Sequence, residues 1–302
     1  MKMNKKWRAA DIPDLKGSTV LITGANSGLG FHETRAIADR GATVVMGCRD
    51  KAKGEGAVKK IREAVPGAKL VLMHLDLASL KSIRSFADEF KKRYDRLDIL
   101  INNAGVMAAP YGTTEDGFEM QIGTNHFGHF ALTGLLLDRI LRTPKSRVVS
   151  VSSLMHRMGR IDFDDINSQE KYSKWPAYGQ SKLANLLFIY ELDRRLKKGG
   201  SDVIAAAAHP GYSNTNLQRT TRFFSTFNPI LAQPADMGAL PVLYAATGEH
   251  VQGGEFYGPD GFFEMRGYPR RTDSNALSHD KTVAARLWDL SEKATGVKYL
   301  LR

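Results

Sequence analysis

Tyr178 and Lys182, in the run Ala177-Tyr178-Gly179-Gln180-Ser181-Lys182, stand four residues apart, a spacing that puts two side chains on one helix face. A phenol beside an ammonium is an acid/base device. The positive charge favours the phenolate and is expected to bring the tyrosine pKa down toward a useful range. The spacing also arises by chance, so the rest of the chain must supply what the pair would act on.

A glycine-rich run, Thr23-Gly24-Ala25-Asn26-Ser27-Gly28-Leu29-Gly30, offers a cofactor. Glycines permit a tight turn and a close approach of backbone to a pyrophosphate, which then rests on the next helix N-terminus. The spacing is G-x-x-x-G-x-G, not the G-x-G-x-x-G fingerprint. Glycine turns join strands to helices in many proteins, and the place of this one after a first strand favours a dinucleotide. Further on, Gly47-Cys48-Arg49-Asp50 closes a second strand. An acid there usually binds the ribose 2'-hydroxyl, whereas an arginine accommodates a 2'-phosphate. With Arg49 first and Lys51 and Lys53 following, NADP(H) is the favoured cofactor and NAD(H) the alternative; the competing reading pairs Arg49 with Asp50 on the surface. Asp76 and Leu77 follow a third strand, where the carboxylate either meets the adenine or caps the next helix. Asn103, Ala104 and Gly105 follow a fourth, as small residues that let backbone pass a ribose or simply turn.

These residues need a scaffold with one functional edge. Apolar runs at 19–23, 42–47, 69–75, 97–102, 147–151, 202–208 and 254–257 read as strands. Helical stretches are expected from the glycine turn to about 40, and over 51–64, 79–94, 125–141, 176–196, 234–244 and 280–293. Short apolar strands without alternation are buried on both faces, which calls for a parallel sheet covered by helices. The expected fold is therefore α/β: a single doubly wound parallel sheet of Rossmann type, helices on both faces, one domain over residues 1–302. No linker, repeat or low-complexity segment divides the chain.

Composition narrows the function. Hydrophobic content of 42% and charged content of 25% exclude disordered and fibrous classes. One cysteine, Cys48, excludes a disulfide framework and a cysteine zinc site. His126, His129, His156 and His209 are scattered without metalloprotease spacing, so no metal is expected. A net charge of +11 favours polyanions or a phosphorylated cofactor. The basic residues are spread over helix faces, with no zinc-finger spacing or basic tail, so nucleic acid is not the expected partner. No apolar run reaches 18 residues, and the basic start is followed by Asp11 and Asp14. A cytoplasmic protein without stable membrane insertion is expected.

In chain order, Thr23-Gly24-x-x-x-Gly28-x-Gly30, Asn102-Asn103-Ala104-Gly105, Asn125, Ser152-Ser153, Tyr178-x-x-x-Lys182 and Pro210-Gly211-x-x-x-Thr215 resemble the motif series of the short-chain dehydrogenase/reductase family over nearly the full length. Within it, Cys48-Arg49-Asp50, Asn125-His126-Phe127-Gly128-His129-Phe130 and His209-Pro210-Gly211-Tyr212 look like the retinol dehydrogenase and protochlorophyllide reductase-like branch. Two features depart from those relatives. An N-terminal hydrophobic anchor of the kind common in membrane retinol dehydrogenases is not expected here, and the cysteine is expected at a strand end instead of near a pigment.

The resemblance implies roles. Tyr178 is the general acid or base. Lys182 favours the phenolate and holds the nicotinamide ribose. Ser153, which the family pattern selects over Ser152, hydrogen-bonds the substrate oxygen. Asn125 orders a water and completes a proton relay through Lys182, with a helix N-cap as its structural alternative. Pro210, Gly211, Ser213 and Thr215 line the nicotinamide amide and phosphates. An insert at about 216–234, rich in aromatics, is expected to cover an apolar substrate or to pack on the scaffold or a neighbouring subunit. Homodimers or homotetramers paired through long helices are expected by resemblance only. The expected function is hydride transfer between NADP(H) and a carbonyl or secondary alcohol of an apolar small molecule. An NAD-dependent alcohol dehydrogenase and a non-catalytic nucleotide-binding regulatory protein are the alternatives.

Overall fold

Parallel strands buried on both faces need apolar residues at every position, and β1 (Thr19–Thr23) is buried throughout. Around it stand β2 (Thr43–Cys48), β3 (Lys69–His74), β4 (Ile99–Asn102), β5 (Arg147–Val151), β6 (Ile204–Ala208), β7 (Phe256–Pro259) and β8 (Pro269–Thr272). The computed structural model describes residues 6–212 and 233–301. Ser213, Thr215 and all but the last two residues of the expected insert lie outside the described residues.

The strands form one sheet in the order β3-β2-β1-β4-β5-β6-β7-β8. Every pairing is parallel except β7 with β8, which is antiparallel. The expected sheet thus gains an eighth, reversed edge strand. Strand order reverses between β1 and β4, and such a switch point opens a crevice at the carboxyl ends of the strands.

Alternate strand residues feed two cores. Leu21, Val45, Leu100, Val148 and Ala205 face one, with Phe86, Phe90 and Phe130. Val20, Ile22, Val44, Met46 and Val149 face the other, with Ile37, Ile61 and Leu243. Each fully buried large side chain contributes roughly 1.5–3 kcal/mol. The helices that cover the faces are α1 (Gly28–Ala38), α2 (Lys51–Ala64), α3 (Leu80–Arg93), α4 (Met120–Ile122), α5 (Gly128–Leu135), α6 (Leu137–Arg142), α7 (Lys174–Lys198), α8 (Ala235–Thr247) and α9 (Lys281–Thr295). Ser79 caps α3, accepting from Ser82 N, as its hydroxyl and place suggest.

The helix expected over 125–141 is not continuous. Residues Gly123–Phe127 form a π turn, and the run breaks again at Leu136 before α6. Gly128 sits where a Cβ would come 2.6 Å from Leu77 O, so the segment lies hard against the end of β3. By contrast α7 is longer than expected and buried along most of its length. From outside it is covered by α9, where the Arg195 guanidinium lies 4.3 Å over the Trp288 ring. Among the described residues no helix is long and apolar enough to cross a membrane.

Candidate active site

The end of β5 and the second turn of α7 meet at the carboxyl edge of the sheet. Ser153 follows β5, where its side chain is near enough to the Tyr178 phenol to favour the phenolate, and its Oγ accepts from Met155 N at 3.2 Å. Its neighbour Ser152 points the other way, donating to Lys182 O at 2.8 Å. Lys182 Nζ donates to Val151 O at 3.1 Å, and Asn185 Nδ2 reaches the same oxygen at 3.2 Å. These three bonds stitch the strand end to α7 and set Lys182 Nζ 5.7 Å from the centre of the Tyr178 ring. The structure therefore brings Ser153, Tyr178 and Lys182 together and gives Ser152 a packing role.

One expectation is overturned. The Tyr178 pKa is not brought down, because burial outweighs the nearby Lys182 charge. Burial pushes the phenol up to about 12, only partly offset by the nearby Ser153, and pushes Lys182 down to about 8. Lys182 loses its proton first, so no ammonium remains at the pH where the phenol would ionise. At neutral pH the pair rests as a protonated phenol beside an ammonium.

Asn125 lies inside the π turn, not at a helix N-cap, which corrects that alternative. Single π turns inside helices often mark functional sites. Its Oδ1 accepts from Val106 N at 2.8 Å, and its Nδ2 donates to Val106 O and to Ser181 Oγ, each at 2.9 Å. Both amide protons are thus engaged within the protein. Gly105 fits between Asn125 and the lysine: a Cβ there would sit 3.0 Å from Asn125 Oδ1 and 3.5 Å from Lys182 Nζ.

His129, set aside as scattered, is the residue that sequence reasoning missed. It stands four residues after Asn125, and that spacing was the available signal. Its Nδ1 donates to Asn125 O at 2.9 Å, so the other nitrogen accepts, from Thr23 Oγ1 at 2.9 Å. Burial holds the ring neutral, with its pKa lowered to about 4. Thr23 Oγ1 in turn accepts from Asn103 N at 3.0 Å and Ala104 N at 2.9 Å. One buried chain of bonds thus joins the ends of β1 and β4 to the Asn125 backbone.

The glycine turn fits a dinucleotide. Gly24 and Gly28 take φ of +67° and +53°, and a Cβ on Gly30 would lie 2.5 Å from Gly24 O. Ser27 precedes α1 yet makes no capping bond, which leaves the first N–H groups of the helix open to an anion. Asn26 is half-buried in the same turn, while Leu29 is core. Asn103 Nδ2 donates to Thr23 O at 2.7 Å, locking the two strand ends together.

At the end of β2, Asp50 caps α2, accepting from Lys53 N at 3.0 Å, and pairs with Lys53 Nζ at 2.9 Å. Both contacts hold its carboxyl below the usual range. Arg49 is exposed, with no side-chain partner among the described residues, so it is not paired with Asp50. Asp76 Oδ1 accepts from Ala78 N at 2.9 Å, a local turn bond, and Leu77 sends its side chain into the core. Pro210 and Gly211 follow β6, at the same sheet edge. Among the described residues no cluster of His, Cys, Asp or Glu has the makings of a metal site.

Known proteins resemble this chain in sequence and fold. A model of the short chain dehydrogenase family matches residues 18–224. Retinol dehydrogenase 13 of Homo sapiens is 44% identical over 296 residues, covering 94% of this chain and 86% of that protein. Retinol dehydrogenase 14 of Mus musculus is 41% identical over 319 residues, covering 97% and 91%. Among solved structures, an uncharacterized protein from Mycobacterium paratuberculosis superposes with a TM-score of 0.84 at 47% identity, covering 98% of this chain and all of that one (100%). RhlG of Pseudomonas aeruginosa, solved as its NADP active-site complex, shares the fold: its TM-score is 0.66 at 22% identity, over 83% of this chain and 98% of that one.

Proposed function

This chain belongs to the short-chain dehydrogenase family, and we propose that within it the protein is an NADP(H)-dependent oxidoreductase acting on a carbonyl or alcohol of an apolar small molecule. The convergence of Ser153, Tyr178 and Lys182 where the end of β5 is bonded to α7, with Lys182 Nζ 5.7 Å from the tyrosine ring, carries this reading. When bound, the nicotinamide supplies or takes up the hydride. Tyr178 gives its phenolic proton to the substrate oxygen in reduction and accepts one in oxidation. Ser153 donates to the same oxygen as charge develops there. Lys182, an ammonium at neutral pH, lowers the cost of the phenolate that reduction leaves behind. Asn125, with its side-chain amide protons spent on Val106 and Ser181, offers its backbone oxygen to a relay water. The resting protonation, with the phenol loaded, suits carbonyl reduction.

Cofactor choice rests on Asp50. Its carboxylate is occupied with α2 and Lys53, which favours Arg49 as the residue that meets the ribose substituent. Arg49→Ala is expected to raise the KM for NADPH roughly ten- to a hundredfold, the worth of a charge-assisted bond, and to change that for NADH little. Steady-state rates with both cofactors measure this; an unchanged ratio removes Arg49 from the site.

The names of the relatives direct the substrate search toward long polyene and aliphatic aldehydes, ketones and alcohols. Initial rates on such a panel with NADPH and NADP test the proposal. Tight NADPH binding with no turnover of any member would instead support the nucleotide-binding regulatory reading.

A further inference from the structure

Two consecutive non-glycine residues, Phe263 and Glu264, hold left-handed backbone at φ +48° and +58°. Bulky residues rarely adopt that conformation. The turn presents Phe262 and Phe263 to solvent, 73% and 71% exposed, and swings the Glu264 side chain inward, to 12% exposure. There the carboxylate accepts from Thr272 Oγ1, from Arg157 Nη2 at 3.2 Å and from His209 Nε2 at 3.2 Å. Arg270 Nη2 stands 3.7 Å away. The acid is held down to about 2, chiefly by the His209 bond.

His209 passes this anchorage on. Its Nδ1 accepts the Gly211 N–H at 3.2 Å, so that nitrogen carries a lone pair and the ring is neutral. The contact with Glu264 is therefore a charge-assisted hydrogen bond, not an ion pair. The ring is wholly buried and lies so close to Gly258 that a Cβ there would come 2.1 Å from Nε2. Gly211 itself is left-handed at φ +65°, and a Cβ on it would strike Met265 O at 2.3 Å. That same oxygen accepts from Tyr212 N at 2.7 Å. Gln233 closes the frame, donating to Pro210 O at 2.8 Å and accepting from Gly267 N at 3.0 Å.

We propose that Glu264 is a positioning residue for the cofactor: acting through His209, it holds the 209–212 turn in the shape against which the nicotinamide end of NADP(H) rests. Arg157 ties the same carboxylate to the segment that follows Ser153, so one side chain registers the cofactor loop against the catalytic serine. This rests on the dinucleotide reading given above, and the strained turn is what it explains beyond that reading.

A double-mutant cycle read by fluorescence titration with NADPH tests it. His209→Asn keeps an acceptor for Gly211 N–H where Nδ1 stood but no longer reaches Glu264. Glu264→Ala alone is expected to weaken NADPH roughly five- to tenfold, and by no more than about twofold in the His209→Asn background. Should the alanine variant fail to fold, Glu264→Gln, which keeps the shape and drops the charge, is expected to show the same pattern at roughly two- to threefold. An unchanged Kd, or an equal loss in both backgrounds, overturns the proposal, as does a lowered thermal midpoint with normal affinity. Wild-type protein that fails to bind NADPH would sink the cofactor reading instead.

Discussion

Tyr178→Phe is expected to lower kcat roughly a hundred- to ten-thousandfold while NADPH affinity stays within about threefold, the scale of lost general acid catalysis. The substitution is clean because Tyr178 is 5% exposed and its ring already packs in place. Phenylalanine keeps that ring 5.7 Å from Lys182 Nζ and removes only the hydroxyl near Ser153. Ser153 would still polarise the substrate oxygen, so a residual rate is expected, and no proton could follow the hydride from this site. Single-turnover rates and a fluorescence titration separate the two effects. A drop of less than about tenfold would remove Tyr178 from the role of acid, since general acid catalysis contributes more than that.

The motifs that surround Tyr178 were legible because each stands at the end of a strand, where a motif has a fixed meaning. Thr23-Gly24, Asn102-Asn103, Ser152-Ser153 and His209-Pro210 end β1, β4, β5 and β6, and a doubly wound sheet delivers all four to one edge. What was not legible had no local signal. The π turn at Asn125 adds a residue to a helix whose neighbours Phe127, Phe130, Ala131 and Leu132 are all buried, so no apolar face marks the change of period. The strand β8 reads as Pro269-Arg270-Arg271-Thr272, a turn-like string. It becomes a strand by pairing with β7 and through ion pairs of its arginines with Glu264 and Glu255.

Chemistry that depends on burial was the least legible. Tyr178 and Lys182 invite a Coulomb argument from spacing, yet desolvation dominates both groups and reverses the order in which they titrate. A sequence shows that two side chains can meet; it does not show how dry the meeting place is. Glu264 makes the same point in the opposite direction. Nothing in Phe262-Phe263-Glu264 announces an inward carboxylate, because the left-handed turn that delivers it is set by packing against His209 and Thr272.

Glu33→Gln is expected to abolish a fall in stability that the wild-type protein shows as pH rises from about 6.5 to about 8. Glu33 lies on the buried face of α1, wholly inaccessible, and neither carboxyl oxygen has a hydrogen-bond partner among the described residues. Burial alone raises its pKa to about 8, from 4.5. Glu119 and Asp193 are also raised by burial, but each keeps hydrogen bonds that offset the cost. The folded protein holds the Glu33 proton where the unfolded chain has released it. Stability from this group is therefore complete below about 4.5 and is lost as pH rises toward 8. His32, His126, His129, His156 and His209 act with the opposite sign, because burial lowers each and the unfolded chain binds the extra protons. Their gain with rising pH is finished near the unfolded histidine value of 6.5, and from there the Glu33 slope dominates until Lys182, lowered to about 8, begins to oppose it near the top of the window. That slope is about 1.4 kcal/mol per pH unit, or roughly 2 kcal/mol across the window. In a chain of this size it amounts to several degrees in Tm. Thermal melts of both proteins at closely spaced pH values check the sign: the wild-type midpoint should decline from about pH 6.5 toward 8, while the variant's stays level and then rises slightly as Lys182 titrates. Parallel curves would show that Glu33 is ionised in the fold, with a partner that holds its charge.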